Sequence, residues 1–500
     1  MPPFLHSARA FCIRHPAAVG ALGTFLLSLL LRVLYLHGAM DRDWPFSIFF
    51  YGDTRFFHGY ALDWARDTPA KATLPYHPPL FPAFLGVLYQ LLGEPRGSAL
   101  PYKLSLAVLN AATAAFTGWW WRRVLGTGWS LLAAGLFCAS FGWLVLSTTY
   151  SNEVLYALFL SATCWLVLQS RAGLAWWAAG LLGLVMGLGS LTRAEHLYLW
   201  PFLLAYVVFD RERQLAWRAQ LPRWVVAVAV CLVVLAPWSL RNARILQELN
   251  AQHPSLEPLP ELTLVTVYGP INFAMANNAG ATGGFTPDLV NQLGKDGNLD
   301  VANPAQRHLL LHGYAQGLQW MSEHPGDAAR LWLAKLSRWQ DGLGLGFGVS
   351  NWPSGLRGSR PPVDVFLPES TWLAWPLTLL LLAGAALSLR APYRAFSLFT
   401  LVVLHRALIT LAFFGYARGL LVIFPALLPL LLLPLMALAS RRDAWSRKVP
   451  AFALAALLLL WAEAALRASG EPRNFNASGS TDQVRGKLIQ DDWVQIWPKN

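Results

Sequence analysis

The chain has 500 residues, of which 55% are hydrophobic and only 13% charged, with 24 Trp and 27 Phe. Its charges cluster between long apolar runs, which excludes a soluble core, a disordered chain and a coiled coil and leaves an integral, all-α polytopic membrane protein. Lys and Arg number 39 against 27 Asp and Glu, a net charge of +12, but the positive residues recur at alternate span boundaries rather than in one patch, so nucleic acid is not the expected partner.

Those basic boundaries are Arg9 and Arg14, Arg122 and Arg123, Arg171, the stretch 211–223, Arg390 and Arg394, and the stretch 441–448. Their alternation follows the positive-inside rule and sets the amino terminus inside. The cysteines are Cys12, Cys138, Cys164 and Cys231; one lies near the cytoplasmic start and three lie within apolar runs, so no disulfide framework is implied.

A spanning helix needs about 20 mainly apolar residues, and about eleven runs qualify when short ones sheltered by protein are admitted. In chain order they are 17–36, 100–121, 129–147, 154–168, 174–191, 197–209, 224–240, 372–389, 395–414, 419–438 and 449–466. The first holds Arg32, is too long for a signal-peptide core and lacks a small-residue cleavage site, so it reads as a retained anchor. The organisation follows: residues 1–240 form a core of seven spans that includes a first outer loop at 37–99, residues 241–371 a large outer loop, residues 372–466 four further spans, and residues 467–500 an outer-face tail.

The outside therefore holds most of the non-spanning mass, in the two long segments 37–99 and 241–371. Long ordered loops are where function concentrates. The first contains two stretches with apolar residues at helical spacing, 54–66 and 80–92, separated by Tyr76-His77-Pro78-Pro79, which predicts two helices lying along the bilayer surface. In the large loop, 305–322 and 327–339 read the same way. No repeat of fixed period and no low-complexity tract is present.

Asp53 opens the helix predicted from residue 54, where an acid serves either as an N-cap or as a functional carboxylate. Glu153 is the only acid of the short outer segment 147–153, and two carboxylates in one outer cavity suit activation and orientation of a hydroxyl nucleophile. A departing anion needs cations, and Arg55, Arg193, Arg241 and Arg418 stand in outer segments; each also suits a lipid headgroup, as basic residues at span ends do. His405 and Arg406 fall near the middle of an apolar run, where ionisable groups face a wet cavity or pair with another helix. His308 and His312, four residues apart on a predicted helix, are a chelating pair, yet no Glu stands in the HExxH position and no third ligand is near in sequence. No metal is assigned there; a divalent cation is compatible with the chain but unsupported.

These features taken together resemble the GT-C superfamily of membrane glycosyltransferases, in the branch of the bacterial aminoarabinose transferases and the protein O-mannosyltransferases. The resemblance rests on Gly52-Asp53-Thr54-Arg55-Phe56-Phe57, His77-Pro78-Pro79-Leu80-Phe81-Pro82, Gly187-Leu188-Gly189-Ser190-Leu191-Thr192-Arg193, Pro237-Trp238-Ser239-Leu240-Arg241-Asn242, Asn277-Asn278-Ala279-Gly280-Ala281-Thr282-Gly283-Gly284 and Tyr416-Ala417-Arg418, in that order along the topology.

It implies a GT-C bundle with juxtamembrane helices in the first outer loop. The implied activity is transfer of a sugar, with inversion, from a polyprenyl-phosphate carrier to an acceptor hydroxyl or amine on a glycan, lipid or protein. The chemistry would lie on the periplasmic or extracellular side of the plasma (inner) membrane. Asp53 would be the base and Glu153 the second acid, while Arg55, His77, Arg193, Arg241, Arg418, Asn277 and Asn278 would hold the carrier phosphate or substrate. His77 stands where the aminoarabinose enzymes have Lys and Tyr76 where they have a metal-linked Glu, which weakens a metal site and a lipid A acceptor. Two other classes compete: a lipid-linked sugar transporter or flippase, expected to show repeated halves that this chain lacks, and a non-catalytic assembly subunit.

Overall fold

Apolar segments that enter a bilayer must satisfy their backbone groups internally, so they become helices. In a computed structural model, residues 16–38, 53–66, 74–95, 98–210, 216–285, 289, 300–344, 374–416 and 418–440 are described, and their regular elements are helical. In chain order these are α1 Pro16–Gly38, α2 Thr54–Ala65, α3 Leu80–Leu92, α4 Leu100–Leu125, α5 Thr127–Ala139, α6 Phe141–Leu146, α7 Glu153–Gln169 and α8 Trp176–Thr192. A 3-10 turn, Ala194–Leu199, leads into α9 Trp200–Phe209. Then follow α10 Trp217–Gln252, α11 Gly269–Ala276, α12 Pro304–Glu323, α13 Pro325–Gly344, α14 Ala374–Ser388, α15 Ser397–Ala412, α16 Arg418–Leu421 and α17 Phe424–Ala439.

Among the described residues, three stretches suffice by length and composition to cross a membrane, Pro16–Leu36, Trp217–Gln252 and Arg394–Ala412, and seven shorter apolar helices accompany them. The expected count of about eleven spans is not established by these helices. The run at 449–466 and the tail at 467–500 lie outside the described residues. The expected span at 129–147 is broken at Ser140, whose ψ of 122° is extended, so α5 and α6 are separate helices. The run at 419–438 is likewise interrupted between Leu421 and Phe424.

Where 224–240 was expected, α10 is a single helix of 36 residues that continues through Pro222 and Pro237 and across the anticipated boundary at residue 240. At 1.5 Å per residue it is roughly 54 Å long, well beyond a hydrocarbon core of about 30 Å. Only part of it can therefore lie within such a core, and Arg241, Asn242 and Asn250 lie on its last turns. On α1, Leu22, Leu26 and Leu30 are more than half exposed and lie on one face, as lipid-facing residues do.

Close packing uses small residues. The α8–α10 contact runs over Gly183 and Gly187, where an added Cβ would lie 2.2 Å from the Ala227 carbonyl and 2.7 Å from Val234. Helices approach this closely in membranes only where one presents no side chain. The fully buried Arg32 guanidinium is partly answered inside its own helix, where Nη1 donates to the Ser28 hydroxyl at 2.7 Å and the Ser28 carbonyl at 3.0 Å.

The proline-punctuated α17 shows the same accounting. Pro429 has no N–H for the carbonyl of Pro425 one turn earlier, and the buried Trp121 indole N–H of α4 donates to that carbonyl at 3.1 Å. Pro425 likewise has no N–H to offer the Leu421 carbonyl, and the Trp143 indole takes it at 3.0 Å. Gly384 of α14 comes so close to the Leu430 carbonyl, four residues before Pro434, that a Cβ there would lie 2.1 Å from it.

The two helices expected in the first outer loop are α2 and α3. They pack on each other with Gly86 against Trp64, where a Cβ would meet the Trp64 Cβ at 2.6 Å. In the large loop, α12 and α13 match the two expected helices within a few residues. Inside the fold, Lys335 of α13 is fully buried and donates to Asn277 Oδ1 at 2.8 Å and the Leu411 carbonyl at 2.9 Å. Burial pushes the Lys335 amine down to about 7.

Candidate active site

Asp53 stands immediately before α2, but its side chain makes no capping hydrogen bond, so the cap role is not what holds it there. Its Oδ1 lies 3.8 Å from Nε2 of His77, which the Pro78-Pro79 turn places at the mouth of α3. The His77 side chain is 5% exposed. Neither ring nitrogen has a hydrogen-bond partner among the described residues. An aromatic cage surrounds it: ring centroids of Tyr76, Phe56, Phe57 and Tyr60 lie at 4.8, 5.3, 5.6 and 5.9 Å, and Tyr268 at 6.2 Å.

Close-packed protein on one side works against charge on Asp53, although its carboxyl is 46% exposed. The adjacent His77 imidazole and the guanidinia of Arg418 and Arg193 outweigh that effect and hold the carboxyl down at about 2. Burial, and then the Asp53 charge, push the phenols of Tyr60 and Tyr268 up to about 12. They remain protonated, and each carries an O–H at neutral pH.

A second layer is built by Arg193, which follows α8. It donates from Nη1 to Glu153 Oε1 at 2.9 Å and to Asn152 Oδ1 at 3.0 Å, and from Nε to Glu195 Oε1 at 2.8 Å. The guanidinium also lies over the Tyr156 ring, 5.7 Å from its centroid. The Glu153 side chain is 3% exposed, and its other oxygen accepts from the Ser151 hydroxyl. Arg418 Nη1 sits 3.8 Å from Glu153 Oε1 while its guanidinium covers the Tyr416 ring at 5.0 Å. Arg406 Nη1 of α15 donates to Glu195 Oε1 at 2.5 Å, and His405 Nε2 donates to the Glu195 backbone carbonyl at 3.1 Å.

Three guanidinia and two carboxylates therefore form one connected group with an excess positive charge, at the end of which the longest ion pair is that of Arg418. A surplus cation in a partly desolvated cluster beside an ionised carboxylate is suited to hold an anion and an O–H group on adjoining sides.

Asp53, Glu153, His77, Arg193 and Arg418 are thus linked by contact or by charge. His405 and Arg406, singled out for depth in the bilayer, both meet Glu195. The Arg55 side chain lies outside the described residues. Arg241 sits elsewhere on α10, stacked on Trp238 at 4.3 Å, though its charge reaches Tyr60. Asn277 donates to the Phe273 and Ala412 carbonyls and accepts from Lys335, which occupies its amide within the fold. Asn278 closes a local turn, donating to Ala274 and Met275 and accepting from the Gly280 N–H.

Sequence reasoning passed over Glu195, although an acid two residues after an arginine at the end of an apolar run was a usable signal. It also passed over the phenol-rich wall around His77, whose members come from residues 56 to 268 and share no local pattern.

A family model described as dolichyl-phosphate-mannose-protein mannosyltransferase matches residues 76–240. An undecaprenyl phosphate-alpha-4-amino-4-deoxy-L-arabinose arabinosyl transferase of Pseudomonas paraeruginosa is 36% identical over 128 residues, covering 24% of this chain and 22% of that protein. Two crystal structures of the Archaeoglobus fulgidus oligosaccharyltransferase are similar in fold, each with a TM-score of 0.51 at 13% identity. One is tethered to an acceptor peptide and the other is the apo form; the matches cover 98% and 97% of this chain and 60% of theirs. The chain thus spans 22% of the length of the curated relative and 60% of the solved one. In sequence over part of its length the chain resembles membrane glycosyltransferases of the GT-C superfamily, and in fold over nearly all of it the archaeal oligosaccharyltransferase.

Proposed function

We propose that this protein is a glycosyltransferase that moves a sugar from a polyprenyl-phosphate carrier to an acceptor hydroxyl or amine at the outer face of the membrane, with inversion. The observation that carries this reading is the ionised Asp53 carboxylate beside the buried His77 and in the field of Arg193 and Arg418.

A sugar on a lipid phosphate already has a good leaving group, so the reaction needs a base for the nucleophile and cations for the departing phosphate more than it needs a strong acid. In the proposed step the acceptor oxygen attacks the anomeric carbon, the bond from that carbon to the phosphate oxygen breaks, and its electron pair leaves with the carrier phosphate towards Arg418. A carboxylate held at about 2 is a weak base towards a resting hydroxyl. Asp53 therefore orients the O–H first and takes its proton late, once bond formation has made that oxygen acidic. Glu153 holds Arg193 in place and does not contact the nucleophile.

The test is mass spectrometry of polyprenyl-phosphate sugars in membranes carrying the native protein, Asp53→Asn, or no copy of the gene. Asp53→Asn removes no capping bond and touches a half-exposed side chain, so the variant should still fold. One glycosyl carrier accumulating to the same level in the variant and the deletion supports the reading; normal turnover in the variant overturns the role of Asp53.

A further inference from the structure

His308 and His312 were left without a third ligand by the sequence, and the fold supplies one from far along the chain. Glu257, in the segment after α10, reaches both: Oε1 and Oε2 lie 2.8 and 3.0 Å from His312 Nε2, and Oε2 lies 3.9 Å from His308 Nδ1. The two imidazoles face each other with centroids 4.5 Å apart, and one donor atom from each of the three residues falls within 4.8 Å of the others. Bonds of about 2.0–2.2 Å from one tetrahedral ion place its ligands roughly 3.3 Å apart. The distances from the carboxylate to the two rings bracket that value.

The carboxylate is held on a prepared frame. The backbone carbonyl of Glu257 accepts from Nε of Arg307, the residue preceding His308, and Arg307 is 1% exposed. Arg307 Nη2 also donates to Asn250 Oδ1 at 2.6 Å, and Asn250 closes on the Leu259 backbone with bonds of 2.7 and 3.0 Å. The end of α10, the turn 253–259 and the first turns of α12 are therefore one unit before any ligand arrives. Binding would not have to order them, which removes the main entropic cost of assembling an exposed site.

We infer that Glu257, His308 and His312 form a divalent metal site of the zinc type, with its fourth position open to solvent. Two neutral imidazoles and one carboxylate suit a borderline ion such as Zn2+, whereas Ca2+ and Mg2+ require all-oxygen shells. The three side chains are 41–57% exposed, so a water or an external ligand can complete the shell. None of the three shares a hydrogen bond or ion pair with Asp53 or the arginine cluster among the described residues. The site does not depend on the reading of that cluster, and Asp53→Asn leaves metal binding unchanged.

The experiment is calorimetric titration of zinc chloride into the full chain in detergent, purified without a histidine tag and stripped with chelator, for the native protein, His308→Ala, Glu257→Gln and the double variant His308→Ala/His312→Ala. His308 makes no hydrogen bond within the fold among the described residues, so its loss is structurally mild. The expected result is one high-affinity equivalent in the native protein, weakened by more than the ~10–100-fold that even outer-shell partners contribute in each single variant, and absent in the double variant. Substituting Co2+ should give the visible absorption of a tetrahedral site in the native protein alone. No saturable binding by the native protein, or an affinity unchanged in the double variant, overturns the assignment.

Discussion

Replacing Trp121 with Phe tests whether the prolines of α17 are tolerated because other helices satisfy the carbonyls they orphan. Trp121 is fully buried, and its indole N–H is the donor to the Pro425 carbonyl at 3.1 Å. The substitution keeps an aromatic ring but leaves a buried carbonyl unpaired, a cost of about 1–3 kcal/mol; the smaller ring adds a packing cost. The two contributions separate in a cycle with Pro429→Ala, which restores a backbone N–H four residues after Pro425 and so gives that carbonyl a second donor. In the Pro429→Ala background only the packing cost of Trp121→Phe should remain. A coupling of ~2 kcal/mol, roughly 30-fold in an unfolding equilibrium, should appear in denaturation of the four proteins in mixed micelles. Equal costs for Trp121→Phe in both backgrounds would refute the argument, since the Pro429 vacancy would then have no bearing on the indole.

Three further outcomes follow from the site and the packing. Glu195→Gln withdraws the charge shared by Arg193 and Arg406, whose side chains are 16% and 7% exposed; removing one partner of a buried pair costs ~3–5 kcal/mol, and with Glu195 20% exposed the lower end is expected. The double variant Glu195→Gln/Arg406→Gln should be no less stable than the single one, and strictly additive losses in the same micelle assay would count against the pairing. Gly183→Ala should destabilise by ~1–3 kcal/mol because its Cβ would lie 2.2 Å from the Ala227 carbonyl. Gly180→Ala, which meets nothing within 4 Å, should be neutral or stabilising by up to ~1 kcal/mol, and the reverse ranking would sink the close-packing account. His77→Gln removes the imidazole that helps hold Asp53 at about 2, so the Asp53 pKa should climb towards its ordinary 3.8. Because the carboxyl is depressed in the fold, its contribution is complete above that ordinary value and is lost as pH falls through about 2; in the variant the acid limb of kcat/KM should move to higher pH, and a limb that stays or moves down would contradict the pairing.

Much of the architecture was legible because it is local. The helix at Leu80–Leu92 begins after Pro78-Pro79 and stops at Gly93, whose φ of 85° favours glycine, and both ends were visible in the residues themselves. The break at Ser140 was not, because the apolar run is unbroken and nothing in it signals an extended residue. The extra length of α10 was hidden for the opposite reason: polar residues after Leu240 suggested a boundary, while the backbone continued as helix through them.

By itself the sequence determined that the chain is helical, with apolar stretches long enough to cross a membrane, since hydrophobic length acts on each stretch independently. Asp53, Glu153, Arg193 and Arg418 were all recognisable as ionisable groups at span ends. The tertiary structure alone decided their pairing. Arg406 and Glu195 are 211 residues apart, and Glu257 meets His308 and His312 from another segment. Such contacts depend on which helices pack side by side, and that is set by the fit of glycines, prolines and tryptophans across the bundle, a property of the assembled surface that no window of the chain contains.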